Sequence, residues 1–258
     1  MILTVHIDNR VITLAVYDGE KQRVSTSVGT DLCGTSDQYA AVLYAVLGFS
    51  GINTDTLEGA VISSVVPSLT PVLRRAVERL CGHAPLVVGA GIKTGLNLRL
   101  DSVGTVGSDF ICNAVAALQE FKPPLVVIHL TNATTFAAID DKGVFIGRSI
   151  LPGVESSLEH LCKSSAQLPD VSFDTDAALL GKNTADAIRS GILYSSLCLL
   201  EGMFNRYQQA LGGQAQGIVT GTELAQILCE RCAEPLLYRP QLLHDGLRLL
   251  YAKNRKNT

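Results

Sequence analysis

One arrangement of strands and turns occurs twice in this chain of 258 residues. Residues 1–30 contain an apolar strand, the polar stretch HIDNR, a second strand and a turn at Asp18-Gly19. Residues 124–153 repeat this order, with the turn at residues 140–143. Alternation of apolar and polar residues between turn signals is typical of β-strands, and helical patterns follow both copies. The repetition predicts an internally duplicated α/β protein.

The break between the two halves is predicted at Lys122-Pro123-Pro124. Proline lacks an amide donor and ends a helix, so two in succession favour a change of element. The predicted domains are therefore residues 1–122 and residues 123–258.

Helical patterns account for much of the rest of the chain. In the first half we expect a helix with its N-cap at Ser36, one over residues 69–82 with proline in its first turn, and one opened by Ser108. In the second half, helices are expected over residues 153–164 and 183–212.

The charge balance excludes some classes of partner. A formal net charge of −3 gives no attraction to nucleic acid, and the one basic cluster, KNRKN near the C-terminus, is expected to be a solvated end. His6, Asp8 and Arg10 interrupt any apolar signal sequence, and the apolar runs are too short to span a membrane. Neither nucleic acid nor a membrane is an expected partner.

The chain has seven cysteines, an odd number, and they are scattered along the sequence. This favours free thiols and a cytoplasmic location. Cys229 and Cys232 form the single C-x-x-C, and no second pair accompanies them. This pattern predicts one face of a short helix, with a metal or redox site as the alternative.

Several segments together carry a resemblance to a known family. They are VISSVVPSLTPVL (61–73), PLVVGAGIKTGLNLRLD (85–101), VGSDFICNAVAA (106–117), ATTF (133–136), ILPGVESSLEHL (150–161), LLGKNTADAIRSGILY (179–194), IVTG (218–221) and DGLRLLY (245–251). In order and spacing over nearly the whole chain, these segments resemble the type III pantothenate kinases, which belong to the acetate and sugar kinase/Hsp70/actin superfamily.

The resemblance implies a fold and a reaction. The fold would be two duplicated ribonuclease-H-like (actin-like ATPase) domains, each a mixed five-stranded sheet flanked by helices. The reaction would transfer the γ-phosphate of ATP to the hydroxyl of pantothenate, with Mg²⁺ and a monovalent cation. The resemblance also implies a homodimer, and the apolar long helix of the second half is the expected contact.

The first phosphate loop of the family reads D-x-G-N-T, and this chain departs from it. Aligned without a gap, His6 replaces the aspartate, Asp8 replaces the glycine and Arg10 replaces the threonine, while Asn9 matches. A gapped alignment makes Asp8 the family aspartate but removes the glycine. Without glycine the backbone cannot approach a phosphate closely, and a carboxylate in its place repels one. Arg10 could supply a charged donor to a phosphate or pair with a nearby carboxylate.

The second loop, D-F-G-T-A-T-T in the family, is changed in the same way. His129 replaces the aspartate, Thr131 the glycine and Asn132 the first threonine, while Thr134 and Thr135 remain as possible hydroxyl donors to an anion. On the adenosine side, the family's A-T-G-G becomes residues 219–222, in which Gly221 is retained.

The third motif, G-A-D-R in the family, retains Gly107 for the substrate side and Asp109 as the implied general base. Phe110 replaces the arginine that holds the substrate carboxylate, and Leu100 occupies a position where the family usually has a substrate-contacting tyrosine. Asp109 also begins a helix, where a carboxylate stabilises the N-terminal dipole by about 0.5 kcal/mol, so a purely structural role stays open.

His6 and His129 replace aspartates at equivalent points of the two halves. One hypothesis is that they face each other across a cleft and bind a transition metal, with Asp8 as a third ligand. The alternative is that both are hydrogen-bonded histidines at strand ends.

Thr184 matches a threonine that reaches the substrate from the partner subunit in the family. Asn183 or Thr184 is also expected to cap the long helix.

The replaced loop residues predict a pantothenate kinase-like protein that is weak or inactive by itself. The first alternative is a non-catalytic paralogue that acts as partner or regulatory subunit of an intact kinase chain, as a heterodimer. The second is an anion- or nucleotide-binding protein that uses Arg10.

Overall fold

The computed structural model describes residues 1–255, so the predicted solvated tail lies partly outside the described residues. Within this range no helix has both the length and the apolar character needed to cross a bilayer. The chain forms two compact units. The first contains Met1–Leu96, Asp101–Gln119 and the residues from Gln241 onward, and the second contains Asn97–Leu100 and Glu120–Pro240.

Each half begins with three strands and continues into helices, as the sequence predicts. The strands are β1 (Ile2–Ile7), β2 (Val11–Asp18), β3 (Lys21–Gly29), β4 (Gly59–Ser64), β5 (Leu86–Val87), β6 (Asn97–Leu98), β7 (Leu125–Leu130), β8 (Ala133–Ile139), β9 (Val144–Pro152), β10 (Gln216–Gly221) and β11 (Leu236–Tyr238). The α-helices are α1 (Ser36–Phe49), α2 (Thr70–Cys81), α3 (Ser108–Glu120), α4 (Val154–Ser164), α5 (Thr184–Ala210), α6 (Glu223–Arg231) and α7 (Leu242–Asn254).

The first unit is a five-stranded mixed sheet with helices on both faces. Its strand order is β3-β2-β1-β4-β5, in which β1, β2 and β3 are antiparallel and β4 and β5 run parallel to β1. Ile62 of β4 packs in one core with α1 and α2, whereas its neighbour Val61 packs with Ile111 of α3 and Leu247 of α7. Successive strand residues point to opposite faces, so α1 and α2 cover one face and α3 and α7 the other.

The predicted boundary between residues 122 and 123 differs from the structure at the C-terminus. Helix α7 belongs to the first unit, although it comes last in the chain. Its buried residues Leu243, Leu247 and Leu250 complete the core around Val61 and Val88. An amphipathic helix packs against whichever sheet face lacks a cover, and position in the sequence does not fix that choice.

The second unit has a six-stranded sheet rather than the five strands expected. The strand order is β11-β10-β7-β8-β9-β6. Strands β7, β8 and β9 form the antiparallel meander predicted from the repeat, and β10 runs parallel to β7. The added edge strand β6 has two residues and pairs parallel to β9. A strand that short has no measurable periodicity, which is why the sequence did not predict it.

Helix ends agree with the sequence in part. Helix α2 begins with Pro71 in its first turn and ends at Gly82, which has a φ of 69°. Helix α1 is capped by Thr35 rather than by Ser36, because the Thr35 side chain accepts from the Gln38 amide while the Gln38 side chain accepts from the Thr35 amide. This reciprocal pair is a capping box.

Candidate functional site

The first candidate loop connects β1 to β2 and is held by hydrogen bonds of its own. The Asp8 carboxylate accepts from the Asn9 backbone amide at 2.6 Å and from the Asn9 side chain at 3.3 Å. The Asp8 amide donates to the Val11 carbonyl at 3.2 Å. Two amides of the turn are therefore occupied within the loop itself.

Residue 30 attaches the same loop to the end of β3. The Thr30 hydroxyl donates to the Asp8 carbonyl at 2.7 Å, and the Thr30 amide donates to the Arg10 carbonyl at 2.9 Å. Asn9 and Arg10 are exposed, and Asp8 is half-buried. The loop therefore has a defined conformation in which its polar side chains lie at the surface.

His6 lies at the buried end of β1 in a chain of side-chain hydrogen bonds. Ser108 donates to the Ser64 carbonyl and accepts from the Ser64 amide, both at 3.0 Å. The Ser63 and Ser108 hydroxyl oxygens are 2.8 Å apart, so Ser63 donates to Ser108. The Ser63 oxygen is then the acceptor for Nδ1–H of His6 at 3.1 Å. This chain joins β1, β4 and the start of α3.

A second buried histidine, His244 of α7, lies near His6. The Thr4 hydroxyl donates to the Ala15 carbonyl at 3.1 Å, so it accepts from Nδ1–H of His244 at 2.8 Å. Nε2 of His244 then accepts from the Thr13 hydroxyl at 2.9 Å. Burial, together with nearby His6, lowers the pKa of His244 to about 3. His244 is therefore neutral and has both ring nitrogens occupied.

Asp109, the candidate general base, lies in the first turn of α3 and is half-buried. A Cβ at Gly107 would lie 2.3 Å from a carboxylate oxygen of Asp109, so the carboxylate occupies the space that the glycine leaves. Phe110, which the resemblance places at the family's arginine position, is buried. Burial and the charge of Asp109 raise the pKa of the Cys112 thiol, which stays protonated.

The second candidate loop joins β7 to β8 and is fixed mainly through its backbone. The Thr131 amide donates to the Ala133 carbonyl at 3.1 Å. The Asn132 carbonyl accepts from the Gly153 amide and from the Ser156 hydroxyl, both at 3.0 Å. The Ser156 hydroxyl also lies 2.8 Å from the Asn132 side-chain oxygen. The start of α4 thus holds the second loop in place.

Two glycines make this arrangement possible. A Cβ at Gly153 would lie 2.3 Å from the Thr131 carbonyl oxygen, and a Cβ at Gly221 would lie 2.0 Å from the Leu130 carbonyl oxygen. Gly221 also has a φ of 135°, which side-chain-bearing residues rarely adopt. Retention of Gly221 is therefore explained by close packing on the second loop, whether or not a nucleotide binds there.

The remaining candidate residues of the second unit differ in how far their side chains are buried and in which face of the sheet they occupy. His129, Thr134 and Thr135 are buried, with Thr135 opposite His129 in the β7–β8 ladder. Leu100 is half-buried in the short segment that precedes Asp101. Thr134 and Thr135 follow each other on a strand, so their side chains point to opposite faces and do not form one hydroxyl pair.

The sequence predicts either Asn183 or Thr184 as the N-cap of the long helix, and the structure shows which of the two it is. The Asn183 side chain accepts from the Asp186 amide at 2.9 Å, so Asn183 is the N-cap. Thr184 is the first helical residue and is exposed. Gly181 packs against the first turn, where a Cβ would lie 2.3 Å from the Ala187 nitrogen.

The donor set does not fit the divalent ion of the family. Nδ1 of His6 is committed to Ser63, and one Asp8 carboxylate oxygen accepts two bonds from Asn9. Among residues 1–255 no group of three or more His, Cys, Asp or Glu side chains is placed to hold a metal. Mg²⁺ prefers carboxylate and phosphate oxygens, whereas His6 and His129 offer ring nitrogens. The predicted transition-metal site receives no support either.

The C-x-x-C lies at the end of α6, as the helical interpretation predicts. Cys229 is on the helix and Cys232 follows it. Burial raises the pKa of the Cys229 thiol to about 11 and also raises the pKa of Cys232. Both groups are therefore protonated thiols at neutral pH, a state in which they neither ligate metals nor attack disulfides readily.

Sequence reasoning missed the hydroxyl chain that supports His6. Ser63 and Ser64 at the end of a buried strand were a usable signal, because adjacent hydroxyls in an apolar run need partners. His244 gave no such signal, since its position in an ordinary amphipathic helix says nothing about which strand it faces.

Comparison with known proteins agrees with the architecture of both units. A profile of the family described as type III pantothenate kinase matches residues 2–206. The type III pantothenate kinase of Moorella thermoacetica is 34% identical over 255 residues, covering 98% of this chain and all of the relative. That of Listeria monocytogenes is 34% identical over 258 residues, covering all of this chain and 99% of the relative.

Solved structures show the same fold at low identity. A ROK family glucokinase from Streptomyces griseus, in complex with glucose and AMPPNP, has a TM-score of 0.52 at 14% identity and 97% coverage of both chains. The activator of 2-hydroxyisocaproyl-CoA dehydratase from Clostridium difficile, with bound ADPNP, has a TM-score of 0.53 at 9% identity, covering 97% of this chain and 92% of that one. With the predicted duplicated actin-like ATPase fold confirmed, the chain belongs to the type III pantothenate kinase family.

Proposed function

We propose that this family member transfers phosphate weakly or not at all by itself. The observation that carries the proposal is the closure of both loops by internal hydrogen bonds. The Asn9 amide donates to the Asp8 carboxylate, and the Thr131 amide donates to the Ala133 carbonyl. A phosphate site needs such amides directed at the ligand.

ATP is the nucleotide that the family relationship suggests, and its phosphates would meet an unfavourable charge here. Aligned without a gap, Asp8 stands at the glycine position of the family loop. Two like charges about 4 Å apart repel by about 4 kcal/mol at an effective dielectric constant of 20. Catalysis of phosphoryl transfer depends on positioning and charge neutralisation, so this repulsion acts on the step that matters most.

Pantothenate remains the proposed substrate if the chain is active, with Asp109 as general base. Support for this role comes from Asp109 at the start of α3 beside Gly107, where both residues match the family motif. Without the arginine at position 110, nothing in the motif neutralises a substrate carboxylate.

A second candidate function is that of a non-catalytic partner of an intact kinase chain. Two large apolar side chains, Leu179 and Leu180, are 61% and 81% exposed just before Asn183 and Thr184. Adjacent exposed leucines are unusual at a free surface and favour contact with another chain. In the family, Thr184's counterpart serves the neighbouring subunit, so this segment could do so in a heterodimer as well as in a homodimer. All seven cysteines are free, which supports action in the cytoplasm.

The deciding experiment measures pantothenate-dependent ADP release by the purified chain, alone and mixed with an intact homologue. We expect background rates for the chain alone. A rate in the mixture above that of the homologue alone, lost on Thr184→Ala, would support the partner function. Turnover by the chain alone that disappears with Asp109→Asn would contradict the proposal.

Nucleotide binding can be tested apart from turnover. Asp8→Gly removes the carboxylate and frees the Asn9 amide, so ATP affinity in equilibrium dialysis is expected to rise about tenfold, equivalent to about 1.4 kcal/mol. Asp141→Gly, in the exposed turn between β8 and β9, is the matched control and should leave affinity unchanged. Equal affinity for the parent chain and Asp8→Gly would show that the first loop does not set nucleotide binding.

A further inference from the structure

A cavity of about 110 Å³ lies within the second unit, beside the loop that joins β7 to β8. It is bounded by the ends of β7 and β9, the first turn of α4 and the middle of α5. Most of its wall is aliphatic and comes from Leu130, Val154, Ile192, Leu199 and Leu200. For comparison, an apolar cavity of about 150 Å³ accommodates benzene.

The hydroxyl groups in the wall differ in what they can offer a ligand. Ser157 donates to the Gly153 carbonyl at 2.9 Å, and Ser196 donates to the Ile192 carbonyl at 2.6 Å. Their protons are committed to the helices, so these two oxygens can only accept. Thr134 is 3% exposed and lies on β8 rather than on a helix, and a threonine hydroxyl can both donate and accept.

A second, smaller cavity of about 10 Å³ adjoins the first and shares Leu130, Thr134, Val154 and Leu228 with it. Its other walls include polar side chains, Thr131, Thr222 and Glu155. This volume corresponds to about one water molecule. Thr134 therefore stands where an aliphatic compartment meets a polar one.

The cavity walls specify a class of ligand. No charged side chain among the described residues lines the larger cavity, and burial of an unpaired charge is costly. The volume admits about four to six heavy atoms by comparison with benzene. We propose that this cavity is a binding site for a small neutral aliphatic alcohol or amide, with its carbon chain among the leucines and its polar group on Thr134.

This inference goes beyond the proposed function, because the ligand is neutral and no residue of the first loop lines the cavity, although the cavity borders the second loop. Thr134 and Leu130 flank the second loop on either side. A ligand bound here would contact both ends of that loop and stabilise the conformation that Gly153 and Ser156 already hold.

The test uses methyl-labelled full-length chain and three probes of matched length: butan-1-ol, butyramide and butyrate. We expect the methyl resonances of Ile192, Leu200 and Val154 to shift with the two neutral probes, with dissociation constants on the order of 1 mM. Butyrate should leave them unmoved because its charge has no partner. Equal shifts with butyrate, or no shifts with any probe, would overturn the proposal.

Two variants locate the ligand. Thr134→Val keeps the shape and removes the hydroxyl, so butyramide affinity should fall about fivefold, which corresponds to one hydrogen bond of about 1 kcal/mol. Thr135→Val, on the opposite face of β8, is the control and should retain binding. Ser196→Leu fills the cavity and should abolish the shifts, and Ser157→Val serves the same purpose if that variant does not fold.

Two results would count against the site. If Thr134→Val and Ser196→Leu both bind the probes as the parent does, the ligand lies elsewhere. If the same methyl groups shift with protein concentration when no probe is added, a second copy of the chain occupies the cavity and the proposal fails.

Discussion

The two candidate loops occupy equivalent positions in the two units but are held by different means. The β1–β2 loop depends on side chains: Asp8 binds the Asn9 amide, and His6 is supported by Ser63. The β7–β8 loop depends on backbone packing, with Gly153 and Gly221 in close contact with carbonyl oxygens. Neither loop contains a glycine, yet their conformations rest on different chemistry.

This difference shows what each loop would need in order to offer its amides to a phosphate. The first loop can be altered by exchange of the side chains of Asp8, which is half-buried, and Asn9, which is exposed, because neither belongs to the hydrophobic core. The second loop is part of a packed arrangement in which a change at Thr131 or Asn132 is transmitted to α4. The following predictions test this contrast between side-chain support and backbone packing.

The largest effect is expected at Gly221. Gly221→Ala places a Cβ 2.0 Å from the Leu130 carbonyl oxygen and strains a residue with a φ of 135°. Strain and overpacking together should lower the free energy of unfolding by about 4 kcal/mol, measured by urea denaturation. Gly29→Ala, at the end of β3 and with open space around it, is the control and should change stability little. Tolerance of Gly221→Ala would mean that the second loop is not held by backbone packing.

The next effect is a dependence on pH that arises from the first unit. The pKa of His244 is lowered to about 3 in the folded chain, against about 6.5 when unfolded. The unfolded chain then binds more protons between these values, so stability is full above pH 6.5 and is lost as the pH falls. Acidification from pH 7 to pH 4 should cost about 3 kcal/mol from this group.

The measurement is urea denaturation from pH 4 to pH 7, with His244→Gln compared with His83→Gln. His83 is exposed, so the free energy of unfolding of its variant should depend on pH as it does in the parent. His244→Gln should make that free energy less dependent on pH. If the free energy of unfolding of His244→Gln depends on pH as it does in the parent, the acid sensitivity arises from another group.

Ser63→Ala tests the hydroxyl chain behind the first loop. It removes the acceptor for His6 and the donor to Ser108 in a buried region, which should cost about 2 kcal/mol. Thermal unfolding compared with Ser27→Ala, an exposed serine on β3, isolates the effect. If the Ser63 variant is as stable as the Ser27 variant, the hydrogen-bonded hydroxyl chain does not stabilise the first loop.

The smallest effect is expected for Ser156→Ala. Its hydroxyl binds Asn132, but the Gly153 amide holds the same carbonyl. The loss should therefore be about 1 kcal/mol, measured by urea denaturation beside Ser164→Ala, whose hydroxyl makes a long bond at an exposed site. A loss larger than that of Ser63→Ala would reverse the contrast between the two loops.

The repeated strand pattern was sufficient to predict the duplicated fold, because alternation and turn residues report directly on strands. The candidate loops could be located for the same reason. The buried hydrogen bonds behind the first loop could not be predicted. The hydroxyl groups that support His6 lie on β4 and α3, and His244 comes from the last helix described. Local patterns contain no information about which distant side chains meet in a core. The two-residue β6 and the Thr35 cap were missed because a single turn or pair of residues has several competing interpretations.

Helix α7 also bears on how the chain acquires its structure during synthesis. Translation delivers residues 1–120 first, at roughly 5–20 residues per second, but the core around Val61 and Val88 lacks Leu243, Leu247 and Leu250 until the last helix emerges. The second unit can therefore form its own sheet on the ribosome while the first still exposes an apolar face. A nascent chain stopped before residue 241 should for this reason be a preferred substrate for chaperones.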